Sequence, residues 1–456
     1  MINGSISFWY QETGIPPLRP PLRETLDADV CIVGGGFTGL WTAYYLASAR
    51  PDLRIVVLEK RFAGFGASGR NGGWVTGSVP GLRSRYAADR GRDAVVAMQR
   101  AMNQAVDEVI SVSGAEGIDA DVAKGGVLHV ARSPAQLRRL RDQLAVEAQW
   151  GNTDVVELSA EEVAARIRVD EALGGSYSPH CATVQPAKLA QGLARAVEGK
   201  GVTVYEDTPV LELRPHRAVT PRADVRARWV LRATEGFTAS LAGLRRLWLP
   251  MNSSIIATEP LSEAEWTRIG WEGREALGDM AHAYMYAQRT AGGRIALGGR
   301  GVPYRYGSRT DADGKTPQRT VGSLREILAA MFPSLRGARI DHTWSGVLGV
   351  PRDWCATVGL DRVTGLGWAG GYVGTGVAAT NLAGRTLRDL VLGEDSELVR
   401  LPWVDRQVRR WEPEPLRWLG VHAMYAAYRY ADARESRTAG PTSGVATVAD
   451  LVSGRR

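Results

Sequence analysis

Between Asp27 and Leu46 the chain reads DADVCIVGGGFTGLWTAYYL, an apolar strand running into three consecutive glycines and then a helix. Val30, Cys31, Ile32 and Val33 are apolar without alternation, as in a parallel strand buried on both faces. Gly34, Gly36 and Gly39 follow in GxGxxG spacing. The first permits a tight turn, the second lets a pyrophosphate approach the backbone, and the third lets helix pack closely on strand. The helix is expected from about Thr38 to Ser48. Its N-terminal amides, around Phe37 and Thr38, would point at phosphates, where the helix dipole favours negative charge. A second buried strand, LRIVVLE, ends at Glu59, 20 residues after Gly39. A carboxylate there can accept hydrogen bonds from both ribose hydroxyls of an adenosine. It would repel a 2′-phosphate, which argues against NADP, and the adjoining Lys60 and Arg61 offset this only slightly. A simple tight turn explains the glycines but not the whole series of strand, glycines, helix, strand and acid.

Composition sets the class of protein that carries this unit. With 456 residues the chain exceeds one average domain and can bury a large core. Its 44% hydrophobic and 23% charged residues are those of a globular protein, not a disordered one. No run approaches the ~20 apolar residues of a membrane span, and MINGSISFWYQETG lacks both regions of a signal peptide. A cytoplasmic enzyme without stable membrane insertion is expected. Cys31, Cys181 and Cys355 form no CxxC pair, and the six histidines show no HxH or HExxH spacing. That argues against a disulfide framework and a metal centre. The formal charge is +7, but its arginines are dispersed, with mild clusters over 214–228 and 406–410. Nucleic acid is therefore not an expected partner.

The glycine turn does not choose between NAD and FAD; the next segment does. RFAGFGASGRNGGWVTG, Arg61 to Gly77, is a glycine- and serine-rich loop where a simple nicotinamide domain would start another strand–helix unit. Here the sequence resembles the D-amino-acid oxidase-like family of FAD-dependent oxidoreductases, and GASGRNGG resembles its gamma-glutamylputrescine oxidoreductase branch. In that family the loop passes along the flavin's phosphates and ring. The resemblance implies FAD contacts from Lys60 and Arg61, from Gly66, Ala67 and Ser68, and from Arg70, Asn71, Gly72 and Gly73.

The resemblance continues along nearly the whole chain. VQPAKLAQGLARAVEGKGVTVYEDTPVLEL reads as helix, strand, turn and strand. It is similar to the family's return to the dinucleotide domain, which implies that the backbone at Val210 meets the adenine. RWVLRATEGFT resembles a strand and turn usually written ATG, with Thr234 and Gly236 near the cofactor; Glu235 interrupts that pattern. LPMNSSIIATEPL resembles the strand that crosses into the substrate domain.

GLGWAGGYVGTGVAATNLAGRTLRDLVLG, Gly365 to Gly393, is a second strand–glycine–helix unit. The strand ends at Gly370 and Gly371, and a helix is predicted from about Val377 to Leu392, capped by Thr375 or Gly376 and stopped at Gly393. By resemblance this N-terminus, with Gly371, Gly374, Thr375, Gly376 and Val377, sits beside the flavin N1–C2=O edge. A helix dipole would stabilise the negative charge of a reduced flavin there. Two glycine–helix units for one cofactor point to FAD. Some family members link the flavin to a cysteine late in the chain. The context of Cys355, RDWCATVGLD, departs from that pattern, so non-covalent FAD is expected.

The expected fold is α/β plus antiparallel β. A Rossmann-type, glutathione-reductase-like FAD domain would comprise residues 24–90, 180–240 and 345–395. An antiparallel-sheet substrate domain would be inserted as 91–179 and 241–344, with a helical cap and tail over 396–456. AHAYMYAQRTAGGRIALGGRG reads as a hairpin turning at Gly292 and Gly293. Alternation puts Tyr284, Tyr286 and Gln288 on one face. The resemblance implies that this sheet roofs the flavin, with Tyr284 or Tyr286 facing the substrate. Fourteen tryptophans against six phenylalanines suggest aromatic walls for an amine. Trp74 and Tyr372 adjoin the glycine loops, and Trp344 and Trp354 precede the second turn. Arg300 and Arg352 could clamp a carboxylate. The tail reads as a capping helix rather than an interfacial membrane helix, and the last ~20 residues read as a frayed end.

These resemblances imply an FAD-dependent oxidoreductase that oxidises the C–N bond of an amine or amino acid. Hydride would pass to flavin N5, and water would hydrolyse the imine. That chemistry belongs to the cofactor, in keeping with the lack of a Ser/His/Asp or paired-carboxylate motif. The alternatives are the flavin domain of a tRNA-modifying enzyme and a membrane-associated flavin dehydrogenase. Electrons would go to O2 or another acceptor. Sarcosine-oxidase-like relatives activate oxygen with a lysine near the flavin. No lysine occurs here between Lys200 and Lys315, so slow reaction with oxygen is expected.

Overall fold

The computed structural model describes residues 1–151, 153–299, 303–438 and 443–454. Its first sheet is built around the strand Leu26–Val33, in which Val30 to Val33 are buried. This strand pairs in parallel with Ile55–Leu58 on one side and Asp224–Arg232 on the other. Val30 and Ile32 pack into one apolar cluster and Cys31 and Val33 into another, so both faces are covered, which is why its side chains do not alternate. Thr203–Tyr205 extends the sheet past Ile55–Leu58, and Leu366–Gly370 joins in parallel beside Asp224–Arg232. Three further strands complete eight, all with antiparallel pairings.

The helix Phe37–Ala49 follows the glycine turn and is buried along nearly all its length. The second glycine helix, Gly376–Leu392, packs against it and ends at Gly393 in the left-handed conformation. Their approach is close because Gly384 has no side chain. A Cβ there would stand 2.8 Å from the Trp41 carbonyl carbon and from its Cβ.

The second sheet has nine strands. Ile340–Val350 pairs antiparallel along the full length of Leu249–Thr258. Beyond Leu249–Thr258 come Ile295–Gly299, Tyr286–Arg289, Ala276–Asp279 and Val127–Ala131. The hairpin read around Gly292 and Gly293 is present, with Arg289 opposite Ile295. Tyr284 lies just before its first strand, which starts at Tyr286. At the opposite edge Ile2–Asn3 pairs in parallel with His342 and Thr343. The parallel sheet thus draws its strands from residues 26–58, 203–232 and 357–370, and the larger one draws its strands from 2–3, 127–178 and 249–350.

The tail departs from expectation in one respect. Leu416–Thr438 is the helix its spacing predicts, but within the stretch expected to fray Gly444–Ser453 is also helical. Ala446 and Ala449, three residues apart and so on one face, are buried in an apolar cluster with Leu249, Met251 and Tyr425. Packing onto that cluster orders a segment whose own composition would not. Among the described residues no helix is long and apolar enough to cross a membrane.

The helix contact yields a direct test. Replacing Gly384 by Val forces the two glycine helices apart. It should cost about 1–3 kcal/mol, read as a lower urea midpoint at unchanged m-value. An unshifted midpoint would show that the helices can separate freely.

Candidate cofactor and substrate site

The two glycine turns open on one cavity. Gly34, Gly36, Phe37 and Thr38 line it from the first helix, and Gly374, Gly376 and Val377 from the second, so two helix N-termini face the same space. Gly34 has φ +112°, and a Cβ on it would lie 2.5 Å from the Ala233 carbonyl oxygen. A Cβ on Gly36 would stand 2.9 Å from Ser68 Oγ. Gly39 does not line this cavity; a Cβ there would meet the Gly34 carbonyl oxygen at 2.0 Å, so its missing side chain lets helix and turn pack closely. Glu59, Lys60, Arg61, Val210, Thr234 and Gly236 complete much of the wall. The Glu59 carboxylate accepts from the Gly35 amide at 2.8 Å and the Arg61 amide at 2.9 Å. An acid at one end and two sets of amides at bare backbone suit a dinucleotide, and the residues present fit FAD.

The loop after the second strand folds over this cavity, held by its own side chains. Ser68 Oγ accepts from the Phe37 amide at 2.8 Å, so one helix-terminal donor already has a partner. Asn71 Nδ2 donates to the carbonyls of Ala67 and Ser68, and its Oδ1 accepts from the Gly73 amide. Gly66, Ala67, Ser68 and Asn71 line the cavity. Arg70 is buried and turned toward the second sheet. It donates to the carbonyls of Phe65, Ala312 and Ser345 and lies 4.4 Å over the Phe65 ring. Gly73 does not line this cavity; its missing side chain admits the Gln288 amide, which donates to the Gly72 and Val184 carbonyls.

Glu235, which interrupts the ATG pattern, is a residue that sequence reasoning undervalued. It lines the cavity with φ +39°, a conformation sparsely adopted by residues other than glycine. Its carboxylate accepts from the Gly371 amide at 2.8 Å and the Gly349 amide at 3.1 Å, tying the second glycine turn to the long strand of the second sheet. Enclosure by protein pushes its pKa up to about 7, against the opposing pull of these amides and of Arg232. Arg232 is itself buried over the Trp248 ring at 4.1 Å, and desolvation lowers its pKa to about 10. Thr375 occupies the helix N-cap position, but its hydroxyl donates to the Tyr372 carbonyl instead of capping. Tyr372 is buried in the first cavity, its hydroxyl 3.1 Å from Thr38 Oγ1.

A second cavity of about 540 Å³ adjoins the first, sharing Ala67, Asn71, Leu348, Gly374 and Val377 with it. Trp74, Tyr284 and Tyr286 line it, together with Arg70, Gly72 and Thr375. The Tyr286 ring is slotted between two glycines: a Cβ on Gly72 would approach it to 2.6 Å and one on Gly298 to 2.2 Å. Its hydroxyl lies 2.9 Å from Ser253 Oγ. Trp74 meets that ring edge-on at 6.2 Å and donates its indole N–H to the Ala287 carbonyl. Nothing in the sequence pattern marks His129, Asp279 or Asp450, which also line this space. Burial pushes His129 down to about 4, leaving it neutral, and raises Asp279 to about 6 against two backbone amides.

Other expected site residues lie elsewhere. Arg352 lines neither cavity; its guanidinium reaches Glu412 at 3.1 Å and lies over Trp411. Trp344 is buried against Phe8 and Trp9 and donates to the Arg70 carbonyl, and Trp354 also lines neither cavity. Gln288 shares a strand face with Tyr286 but clamps the loop backbone, as above. Arg300 lies outside the described residues.

Comparison with known proteins agrees with this geometry. The sequence model of the family described as FAD dependent oxidoreductase matches residues 29–390. The chain belongs to that family. It is 32% identical to gamma-glutamylputrescine oxidoreductase of Escherichia coli (strain K12) over 383 residues, 82% of this chain and 85% of the relative. It is 23% identical to glycine oxidase of Bacillus subtilis (strain 168), across 80% of this chain and 94% of that protein. The crystal structure of glycine oxidase from Geobacillus kaustophilus shares the fold. It has a TM-score of 0.68 and 21% identity, over 81% of this chain and 96% of that one.

The raised pKa of Glu235 has a measurable consequence. The folded protein holds this proton more tightly than the unfolded chain, where a glutamate titrates near ~4.3. Relative to a Glu235→Gln variant, the stability of cofactor-stripped wild type should therefore fall as pH rises from about 4 to about 7, then level off. The slope should not exceed about 1.4 kcal/mol per pH unit. Urea unfolding of both proteins across that range checks it; parallel curves would assign the carboxylate an ordinary pKa.

Proposed function

We propose that this family member is an FAD-dependent amine or amino-acid oxidoreductase whose FAD is held without a covalent bond. The observation carrying the reading is the pair of joined cavities, one faced by two helix N-termini and the other walled by aromatic rings and two carboxylates. The named activities of the relatives, on gamma-glutamylputrescine and on glycine, support an amine nitrogen as the common element.

FAD, when bound, supplies the two-electron acceptor. The remaining work falls to this chain's residues. Glu59 would hold the adenosine ribose, with the backbone at Val210 toward the adenine. The backbone at Gly36 and Thr38 would meet the pyrophosphate, the Phe37 amide being taken by Ser68. The loop around Ala67 to Gly72 and the turn from Gly371 to Val377 would hold the ring end, where the second helix N-terminus would favour negative charge. Trp74 and Tyr286, locked by their neighbours, orient the substrate and exclude water. The Asp279 carboxylate and the neutral His129 imidazole can hold the proton that an ammonium must lose before its C–N bond is oxidised. Cys355 supports non-covalent attachment: its thiol accepts from the Leu82 amide at 3.4 Å and lines neither cavity. No lysine lines the second cavity among the described residues, which supports slow reaction with oxygen.

The purified protein should be yellow and release FAD, not FMN, on denaturation. Gly36→Val, which drives a side chain into the phosphate approach, should lose the flavin absorbance; full retention would remove the turn from the cofactor site. Under anaerobic conditions a panel of amines and amino acids should bleach the flavin, and a panel that leaves it oxidised would overturn the substrate class. Stopped-flow mixing of the reduced protein with oxygen should give slow reoxidation, faster with an artificial acceptor. Rapid reoxidation with stoichiometric peroxide would make the protein an oxidase.

A further inference from the structure

A third cavity, of about 90 Å³, meets the second along Thr76, Ser78, His129 and Gln143, which line both. Of these four only His129 can take up and release a proton. We propose that this side cavity holds a chain of water that carries protons out, and that His129 moves the proton of a bound ammonium into it. This rests on the reading of the second cavity as the amine site.

The second sheet places the His129 ring at the junction. On the strand Val127–Ala131 it stands level with Gly278 on one side and Ser176 on the other. A Cβ on Gly278 would come within 2.7 Å of the ring, so bare backbone makes room for it there. Trp74, which lines the second cavity, meets the ring edge-on at 6.2 Å. Neither ring nitrogen has a hydrogen-bond partner among the described residues. Thr76 Oγ1 and Ser78 Oγ, 3.0 Å apart, also stand at the junction. Past them the side cavity is walled by the hydroxyls of Ser176 and Ser178 and the amides of Gln99 and Asn103. Polar walls with room for a few waters hold water rather than exclude it. The far end reaches His180, whose Nε2 lies 2.7 Å from the exposed Asp154 carboxylate.

The charges around His129 favour passing the proton on over keeping it. Asp279, Asp450, Arg70, Arg139, His282 and two tyrosines face it across the second cavity, and Arg83, Glu147 and His180 across the side cavity. Arg139 is paired with Glu435 and Arg83 with Glu147. Arg70 is buried and donates to three backbone carbonyls, so its charge opposes a further cation in that space. Asp279 lines the second cavity but not the third, so a proton placed there has no outlet of its own. In the step itself an N–H bond of the ammonium breaks and one forms on the ring, leaving the amine its lone pair. The imidazolium then gives its other ring proton to the side-cavity water, and the two tautomers re-equilibrate through that water between turnovers.

The test is anaerobic bleaching of the flavin in the stopped flow by a primary alkylamine, from neutral pH up toward the amine's own pKa. His129→Gln should slow bleaching by about a hundredfold at neutral pH. Ser176→Val, which alters the side cavity alone, should slow it severalfold at an unchanged half-saturating concentration. Ser176→Thr, equal in size but keeping the hydroxyl, should recover most of that loss. All these deficits should close at high pH, where the amine enters neutral and no proton has to leave. In wild type, deuterated solvent should slow bleaching more at neutral pH than at high pH, an arm that needs no variant. A crystal structure of the holoenzyme should show ordered waters from His129 to His180. A dry side cavity, a Ser176→Val rate equal to wild type, or deficits that persist at high pH overturns the proposal. If no amine bleaches the flavin, the amine reading has failed and this inference falls with it; bleaching without these effects sinks the inference alone.

Discussion

Backbone can come up against a phosphate only where no side chain intervenes, and the centre of this molecule is arranged around one such place. The strand Leu26–Val33 delivers Gly34 to a tight turn with a positive φ, and the helix beginning at Phe37 starts at bare backbone. Everything nearby depends on that turn staying open. Ser68 reaches across to the first helical amide, which brings the following loop over the cavity. Gly384 lets the second glycine helix lie directly on the first, which fixes the spacing between their N-termini. Glu235 then binds the second turn to the long strand of the other sheet. The first two of these contacts use a short polar side chain and a missing one, and each would be blocked by a larger residue, whereas the third uses the reach of a glutamate.

The two cavities differ in what their polar groups are bonded to. In the first, Glu59 and Glu235 are engaged by backbone amides and hold the walls together. In the second, the polar wall includes His129, Asp279 and Asp450, and burial shifts the first two toward neutrality. One space is thereby suited to a fixed, phosphate-bearing molecule and the other to a ligand that exchanges.

The same division explains what could be read from sequence. Glycine turns are legible because part of the demand they meet is local: Gly34 has a positive φ, and a side chain on Gly39 would strike the Gly34 carbonyl. The hairpin at Gly292 and Gly293 is legible for the same reason. Tyr284 and Tyr286 both line the second cavity, although only Tyr286 lies on the strand and Tyr284 precedes it, so alternation alone does not put them together. Arg352 and Trp344 were misplaced because a side chain's partner is a tertiary fact, and Glu412 and Trp9 lie far away in sequence. Asp279, His129 and Asp450 had no local signal, since each is brought to the cavity by a different element. The tail helix Gly444–Ser453 was missed because only packing on residues near 250 and 425 orders it.

The edge strand Ile2–Asn3, paired with His342 and Thr343, bears on how the molecule is made. Ile2 and Asn3 have no strand partner until some 340 more residues have been added. The parallel sheet is in a similar position, because Asp224–Arg232 must wait for Leu366–Gly370. Such distant pairings close large loops before they gain contacts, so they form slowly. The apolar strand Val30–Val33 can pair early with Ile55–Leu58, but its other edge has no partner until Asp224–Arg232 is made, and an open apolar edge is exposed to wrong partners. Synthesis of this protein thus places its demand on whatever shields nascent strands, well before any cofactor can be received.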